Sequence, residues 1–282
     1  MQPNSLAVLG LGAIGGSVAW QARLAGVPRV IGWSRERTEG LEALKAGALS
    51  DLADSAEQAV AAADLVVLAT PPRATLELME ALGPRLSPRA LLTDVASVKA
   101  PVVAQAVRLG LTERFAGSHP FTGTHETGWR AARPDRLRGA LVYVTPTDPV
   151  AGEFASRQIQ GFWRDVLEAH PVLIDAAGHD RQLAWTSHLP QAVASALAAT
   201  LAGRGLNAPA FGAGARDTVR LAASGPELWS EIFLQNAPAL LEALAGFEGT
   251  LARLRTLVAA GDATALATFL SEGQEFKRML DR

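Results

Sequence analysis

The sequence contains no cysteine among its 282 residues. This absence excludes disulfide bonds, thiolate nucleophiles and cysteine-ligated zinc, and it suits a reducing compartment, so we expect a cytoplasmic protein. Charged residues are also few, at 19%, and the formal net charge of −2 gives no electrostatic reason to expect a nucleic-acid partner. Histidine is scarce as well: two of the five histidines, His119 and His125, fall in one short stretch, GSHPFTGTHE.

Long uninterrupted apolar runs are lacking. Residues 183–201 are long enough to span a bilayer, but His188, Pro190 and Gln191 interrupt them. We therefore predict a buried helix preceded by a kink, and no membrane span. With 49% apolar residues, the chain has the composition of a globular protein of one large or two ordinary domains.

The N-terminal segment contains a glycine motif between a predicted strand and a predicted helix. Gly10, Gly12 and Gly15 have G-x-G-x-x-G spacing between an apolar stretch, SLAVLG, and an alanine-rich helical pattern. Such glycines allow a tight turn, a close backbone approach to a pyrophosphate and close packing of helix on strand. The motif alone is weak evidence, but a strand precedes it, a helix follows, and a second strand is predicted at residues 29–33. We therefore predict a dinucleotide site.

Strand and helix patterns then alternate through the first half of the chain. Strands are predicted at residues 65–69, 90–94, 114–117 and 140–144, and helices near residues 36–46, 74–82 and 99–109. This alternation predicts an α/β fold with a Rossmann-like, doubly wound sheet. Ligands of such sheets bind beyond the carboxyl ends of the strands, so residues 70–72, 94–97 and 118–119 should meet in one crevice. The GSHP segment is predicted to be a loop facing the cofactor.

The cofactor candidates follow from these positions. They are Gly10, Gly12, Ile14, Gly15, Ser34, Arg35, Thr70, Pro71 and Asp94. The second predicted strand runs into Trp33-Ser34-Arg35-Glu36, without the strand-end carboxylate that accepts a hydrogen bond from the ribose of NAD. Ser34 and Arg35 suit a 2′-phosphate, and Glu36 is predicted to begin the next helix. We therefore predict that NADP is used at least as well as NAD.

The second half of the sequence changes character after about residue 171. Helical patterns rich in alanine and leucine are predicted at residues 180–201, 207–223, 226–255 and 263–279. We predict two domains, a dinucleotide-binding domain over residues 1–171 and an all-helical domain over residues 172–282. Because two-fold dimers are the commonest oligomers, we expect a homodimer through the helical domain.

Five segments together carry a resemblance to a known family. They are GLGAIGGS (residues 10–17), DVASVK (94–99), GSHPFTG (117–123), HDRQLAWTSHLP (179–190) and ARDTVRLAASGPELW (215–229). In order and spacing the chain resembles the prephenate dehydrogenase family of tyrosine biosynthesis. The resemblance implies oxidative decarboxylation of prephenate to 4-hydroxyphenylpyruvate, with hydride transfer to a nicotinamide cofactor and no metal. It also implies an all-helical dimerisation domain after the Rossmann-like domain.

The resemblance also implies roles for individual residues. His119 matches the catalytic histidine, and a neutral imidazole with a pKa of about 6.5 suits a general base. Ser97 matches the residue that orients this imidazole, and His188 matches a second histidine on the substrate side. His179 and Asp180 match a pair at the junction of the domains, for which structural and catalytic roles both stay open.

Prephenate carries two carboxylates, so its site needs cations. Arg220 matches the family's substrate-binding arginine, which can pair with a carboxylate through two hydrogen bonds. Arg216 lies four residues earlier, which predicts the same helix face, although a salt bridge is favoured for it. Trp229 either forms a wall of the substrate pocket or packs in the core. Trp163 and His170 are predicted to have structural roles. His125 departs from the glutamate common in the family, and its role is open.

Three alternatives remain on sequence grounds. Arogenate dehydrogenase performs the same chemistry on a substrate with an amino group in place of the side-chain keto group. A β-hydroxyacid or imine reductase shares the layout, but typically uses a lysine base on the helical domain, and residues 179–190 offer none. A non-catalytic nucleotide sensor needs only the Rossmann half, and therefore leaves His188 and Arg220 unexplained.

Overall fold

The first half of the chain forms a parallel sheet in the computed structural model, which describes residues 2–122, 126–205 and 207–281. Five strands lie in the order β3-β2-β1-β4-β5, all parallel. They are β1 (Ser5–Leu9), β2 (Arg29–Trp33), β3 (Asp51–Leu52), β4 (Leu65–Leu68) and β5 (Leu91–Asp94). Alternate β1 residues belong to separate apolar clusters, so both faces of the sheet are covered, as a parallel sheet requires.

Helices connect these strands and cover both faces. They are α1 (Ala13–Leu24), α2 (Arg37–Lys45), α3 (Ala56–Val60), α4 (Pro72–Leu82) and α5 (Ala100–Arg108). The predicted Rossmann-like fold is thus confirmed. The short β3 and α3 had no clear sequence pattern, because two or five residues are too few to show a period.

A second, three-stranded sheet continues from the first. Its strands are β6 (Ala116–Pro120), β7 (Leu141–Pro146) and β8 (His170–Leu173), with α6 (Glu153–Gly161) between the last two. β6 is antiparallel to β7, and β7 is parallel to β8, while a parallel bridge between Leu92 and Phe115 joins the two sheets. The prediction of a loop at GSHP was therefore wrong: His119 lies inside β6, opposite Tyr143. β8 also runs past residue 171 to Leu173, just before the first helix of the second half.

The second half of the chain is helical, as predicted. Its helices are α7 (Ala176–Leu183), α8 (Leu189–Ala202), α9 (Ala213–Thr218), α10 (Pro226–Gln235), α11 (Ala237–Ala260) and α12 (Ala263–Leu280). A π-helical turn, Ala184–His188, joins α7 to α8 at the place of the predicted kink. Such insertions are frequent at functional sites. The prediction of a buried helix over residues 183–201 was wrong, because only Gln191 and Ala194 of α8 are buried.

Two predicted helices are interrupted. Residues 207–223 contain the short α9 and two 3₁₀ turns, Ala208–Ala210 and Arg220–Ala223. Residues 226–255 divide at Asn236, because Pro238 lacks the N–H that a continuing helix would need. Over the described residues, every helix is too short or too polar to cross a bilayer.

The last two helices expose much apolar surface. α12 has no buried residue, and Leu270, Phe276 and Leu280 are each more than half exposed. By contrast, the apolar side chains of the parallel sheet are almost wholly buried. The single chain therefore leaves an apolar face on its helical half uncovered.

Candidate active site

The glycine turn after β1 is packed tightly against β4. Gly10 has φ +95°, and a Cβ there would lie 2.3 Å from the carbonyl oxygen of Ala69. A Cβ at Gly15 would lie 2.0 Å from the carbonyl oxygen of Gly10. At Gly12, however, the nearest atom would be the backbone nitrogen of Gly128, 3.9 Å away. Gly10 and Gly15 are thus required for the tight turn, whereas Gly12 leaves an opening in front of α1.

This opening suits a pyrophosphate. Gly12 is the N-cap of α1, whose first turn has no side-chain cap and no acidic residue, so its N–H groups and positive dipole end face the opening. Ile14 is half-buried against the core. On the far side, Trp129 stacks on Trp20 of α1 with ring centroids 5.4 Å apart, which fixes the segment around Gly128. The residues present therefore fit a dinucleotide.

The end of β2 holds a carboxylate that the sequence analysis missed. The hydroxyl of Ser34 donates to Oε2 of Glu39 at 3.2 Å, and the backbone N–H of Trp129 donates to Oε1 at 3.2 Å. Glu39 comes from the first turn of α2, not from the strand end where the sequence pattern places such a group. Arg35 is exposed beside it, and a cavity of about 260 Å³ lined by Glu39 and Gly128 lies next to this segment.

The carboxyl ends of β4 and β5 differ in what they offer to a ligand. Thr70 is half-buried beside Gly10, and Pro71 is exposed at the N-cap of α4. Asp94 is fully buried and forms an ion pair with the equally buried Lys99. It also accepts from the backbone N–H of Ala96 at 2.8 Å. Asp94 was predicted to contact the cofactor, but in the structure its carboxylate is occupied by protein donors.

The Asp94–Lys99 pair holds the strand that carries His119. The ammonium of Lys99 donates to the carbonyl oxygen of Ser118 at 2.8 Å, and the indole N–H of Trp163 donates to its hydroxyl at 2.8 Å. A Cβ at Gly117 would lie 2.5 Å from Oγ1 of Thr145, so only glycine fits there. These contacts hold the GSHP segment in place, and Trp163 has the structural role predicted for it.

His119 begins a chain of buried hydrogen bonds. Its Nδ1 lies 2.9 Å from Nε2 of His179, and Nδ1 of His179 lies 2.7 Å from Oδ1 of Asp180. Burial lowers the pKa of His119 well below its ordinary value of 6.5, and His179 and Lys99 lower it further. Burial also lowers the pKa of His179, although Asp180 opposes this effect. Both imidazoles are thus neutral at neutral pH.

In the structure, the ring of His119 is not hydrogen-bonded to Ser97, for which the resemblance implied an orienting role. Ser97 is half-buried after β5, and among the described residues no hydrogen bond joins its hydroxyl to His119. The partner of the His119 ring is His179 instead. Nε2 of His119 has no protein partner within the described part of the chain, so this nitrogen is available to a ligand.

His188, at the end of the π-helical turn, is buried as well. Its Nδ1 lies 3.1 Å from Nδ2 of Asn236, and Trp229 meets its ring edge-on at a centroid distance of 6.1 Å. Burial lowers the pKa of His188 to about 4, so its ring is neutral at pH 7. Before a ligand binds, His188 therefore offers a neutral N–H and a lone pair rather than a cation.

The two arginines do not share one helix, contrary to the prediction. Arg216 lies in α9, and Arg220 begins the 3₁₀ turn after it, so the four-residue helical spacing is interrupted. Arg216 donates from Nε to the carbonyl oxygen of Phe211 at 3.2 Å and lines a cavity of about 370 Å³. Arg220 is exposed, and Gln191 of α8 holds its turn by donating to the carbonyl oxygen of Leu221 at 2.8 Å.

Sequence reasoning gave Lys99, Asn236 and Glu39 no role. Lys99 ends the DVASVK motif, and this position was the signal in the sequence that could have indicated a role for it. Asn236 and Glu39 lie in no local sequence pattern. His125, whose role was left open, lies outside the described residues.

Both halves of the chain match models of known protein domains. Residues 18–171 match the nucleotide-binding domain of prephenate dehydrogenase, and residues 175–272 match its dimerisation domain. The chain is 33% identical to a cyclohexadienyl dehydrogenase of Zymomonas mobilis, over 98% of this chain and 95% of that protein.

Solved structures are similar over the whole chain. A prephenate dehydrogenase from Aquifex aeolicus, in complex with hydroxyphenyl propionate and NAD+, matches with a TM-score of 0.91 and 29% identity, over 100% of this chain and 99% of that one. A Synechocystis arogenate dehydrogenase matches with a TM-score of 0.81 and 30% identity, over 98% and 99% of the two chains. With both domain models matched in order, the chain belongs to the prephenate dehydrogenase family of nicotinamide-dependent oxidoreductases.

Proposed function

We propose that this protein converts prephenate to 4-hydroxyphenylpyruvate and CO₂, with His119 as the catalytic base. The observation that carries the proposal is the buried, neutral His119 with one ring nitrogen held by His179 and the other available, in a chain whose domains match this family. A positioned base of this kind contributes about 10²–10⁴-fold to a rate.

The chemistry divides between the cofactor and the chain. When bound, a nicotinamide cofactor would supply the acceptor for the hydride that leaves the ring carbon carrying the substrate hydroxyl. Nε2 of His119 accepts the proton of that hydroxyl, so the carbon becomes a ketone. The ring carboxylate then leaves as CO₂, its bonding electrons pass through the ring to the ketone oxygen, and that oxygen takes the proton back from His119, which gives the phenol. The electrons that complete the aromatic ring come from the bond to the departing carboxylate. These steps therefore need neither a metal nor a covalent nucleophile.

For substrate binding we propose His188, Trp229 and Arg220. Trp229 and His188 are in contact, and the turn that begins at Arg220 packs on α8 directly after His188. An arginine can hold a carboxylate with two parallel hydrogen bonds. Arg216 has a weaker case, because its side chain already donates to Phe211.

The proposed assembly is a homodimer through the helical domain, in the cytoplasm. The match of residues 175–272 to a dimerisation domain and the exposed apolar residues of α12 support the dimer. For the cofactor, Ser34 and Arg35 favour NADP+, whereas Glu39 favours the ribose hydroxyl of NAD+. We propose comparable use of both, and a kcat/KM about tenfold or more higher with NAD+ would contradict it.

A second candidate substrate is arogenate, since the chain is similar to an arogenate dehydrogenase over nearly its full length. The test is to measure kcat/KM for prephenate and arogenate with each nicotinamide cofactor, by the absorbance of the reduced cofactor. We expect turnover of prephenate. Turnover of arogenate alone would replace the proposed substrate, and turnover of neither would overturn the proposal.

A further inference from the structure

We infer that Asp180 sets the proton positions of both site imidazoles, acting through two positioning residues. Through His179, its carboxylate fixes His119 as a proton acceptor towards the substrate. Through Asn236, its backbone carbonyl fixes His188 as a proton donor. The consequence for catalysis rests on the proposed function, but the proton positions themselves can be measured without substrate.

The first branch begins at the carboxylate. Oδ1 of Asp180 accepts from the backbone N–H of Lys99 at 2.8 Å, and Oδ2 accepts from that of Ala100 at 2.8 Å. Since both oxygens act as acceptors, the contact at 2.7 Å with His179 requires a proton on Nδ1 of that ring. A neutral imidazole carries one proton, so Nε2 of His179 has only a lone pair.

His119 must therefore donate. Its Nδ1 faces this lone pair at 2.9 Å, and two lone pairs would repel, so the proton of His119 lies on Nδ1. Its Nε2 is then bare, which is the state that a general base needs. The nearby Lys99 lowers the pKa of both rings, which disfavours the doubly protonated form that would break this order.

The second branch begins at the backbone of the same residue. Nδ2 of Asn236 donates to the carbonyl oxygen of Asp180 at 2.8 Å, which fixes the orientation of the amide. The second proton of Nδ2 then points to Nδ1 of His188 at 3.1 Å, so that nitrogen holds a lone pair. The neutral His188 ring therefore carries its proton on Nε2 and presents an N–H to a ligand.

The charged groups around these rings agree with both branches. Asp94 and Lys99 are paired with each other and act on His179 electrostatically. The ring of Tyr143 meets that of His179 edge-on, and its hydroxyl accepts from Gln182 at 2.6 Å. His119 and His188 thus hold opposite tautomers. One can accept the substrate's proton, while the other can hold an oxygen of the substrate by donation.

The first experiment measures the tautomers directly. In protein labelled with ¹⁵N at histidine, the ring ¹⁵N shifts identify which nitrogen carries the proton, and single variants assign each ring. We expect protons on Nδ1 of His119, Nδ1 of His179 and Nε2 of His188 at neutral pH. A proton on Nε2 of His119, or on Nδ1 of His188, would overturn the inference whatever substrate the enzyme uses.

The second experiment tests the consequence for turnover. His179→Phe keeps the ring shape but removes the acceptor, whereas His179→Gln restores one. We expect kcat to fall about tenfold or more in the Phe variant with little change in cofactor affinity, a partial recovery in the Gln variant, and a mixture of His119 tautomers in the Phe variant only. His170→Gln, at an exposed histidine, is the control and should change nothing.

Two results of the variant experiment would contradict the inference. Equal loss of kcat in the Phe and Gln variants would assign His179 a merely structural role. A kcat in the Phe variant within about twofold of the unmodified enzyme would show that the proton order does not matter for turnover. If the Phe variant does not fold, the tautomers of the unmodified protein decide the question. If prephenate is not turned over at all, the proposed function fails, but the measured tautomers still test the proton order.

Discussion

At the scale of single residues, His119 is the group on which the proposed chemistry depends. We expect His119→Asn to lose about 10²–10⁴-fold in kcat, because an amide cannot accept the hydroxyl proton. Cofactor affinity should stay nearly unchanged, since the glycine turn that suits the pyrophosphate is separate from β6. Steady-state kinetics and a cofactor titration measure the two quantities. Retention of more than about a tenth of kcat would rule out base catalysis of this size.

Cofactor preference also depends on single residues at the end of β2. Ser34→Asp should place a second carboxylate there and shift the kcat/KM ratio about tenfold towards NAD+, because a carboxylate repels the 2′-phosphate. Glu39→Gln should shift it towards NADP+, since it removes the carboxylate that Ser34 now contacts. The two opposite shifts control for general damage. An unchanged ratio in both variants would mean that the adenosine ribose does not bind here.

At the scale of secondary-structure elements, the position of β6 depends on one glycine. Gly117→Ala would place a Cβ 2.5 Å from Oγ1 of Thr145 and 3.3 Å from Oδ1 of Asp94. We expect a loss of about 1–3 kcal/mol in the free energy of unfolding, as for other overpacked sites, together with a fall in kcat because His119 shifts.

Urea unfolding measures this loss, with Gly214→Ala as the matched control. A Cβ at Gly214 in α9 would meet nothing within 4 Å, so alanine there should leave the free energy of unfolding unchanged or slightly higher. An unaltered stability of the Gly117 variant would show that β6 adjusts freely.

The sequence predicted those elements whose causes are local. The glycine turn, the parallel strands and the helical second half follow from spacing and periodicity within short windows. The continuation of β6 through His119 depends on pairing with β7, so a window of GSHP residues resembles a loop. The contact of His119 with His179 joins residues 60 positions apart, and only the resemblance to a family marked both. The carboxylate of Glu39 likewise enters the site from a helix, where no strand-end pattern could indicate it.

At the scale of the whole molecule, the uncovered face of α11 and α12 predicts a dimer. We expect sedimentation to give twice the mass of one chain, and the double substitution Leu270→Asp and Phe276→Asp to give monomers, since it would place charges in an apolar interface. Val150→Asp, at an exposed residue of the Rossmann half, is the control. A monomeric unmodified protein, or a dimer that survives the double substitution, would contradict this interface.

The three buried imidazoles also have a consequence for how the protein withstands acid. Folding keeps His119, His179 and His188 neutral, since burial lowers their pKa values, whereas the unfolded chain takes up protons near pH 6.5. Between that pH and the pKa of the folded state, each ring favours unfolding by about 1.4 kcal/mol per pH unit, so just below pH 6.5 the free energy of unfolding should fall by up to about 4 kcal/mol per unit. Urea unfolding at about pH 7.5 and about pH 5.5 measures this, and equal values would contradict it. The proton order that serves catalysis would thus make the enzyme acid-labile.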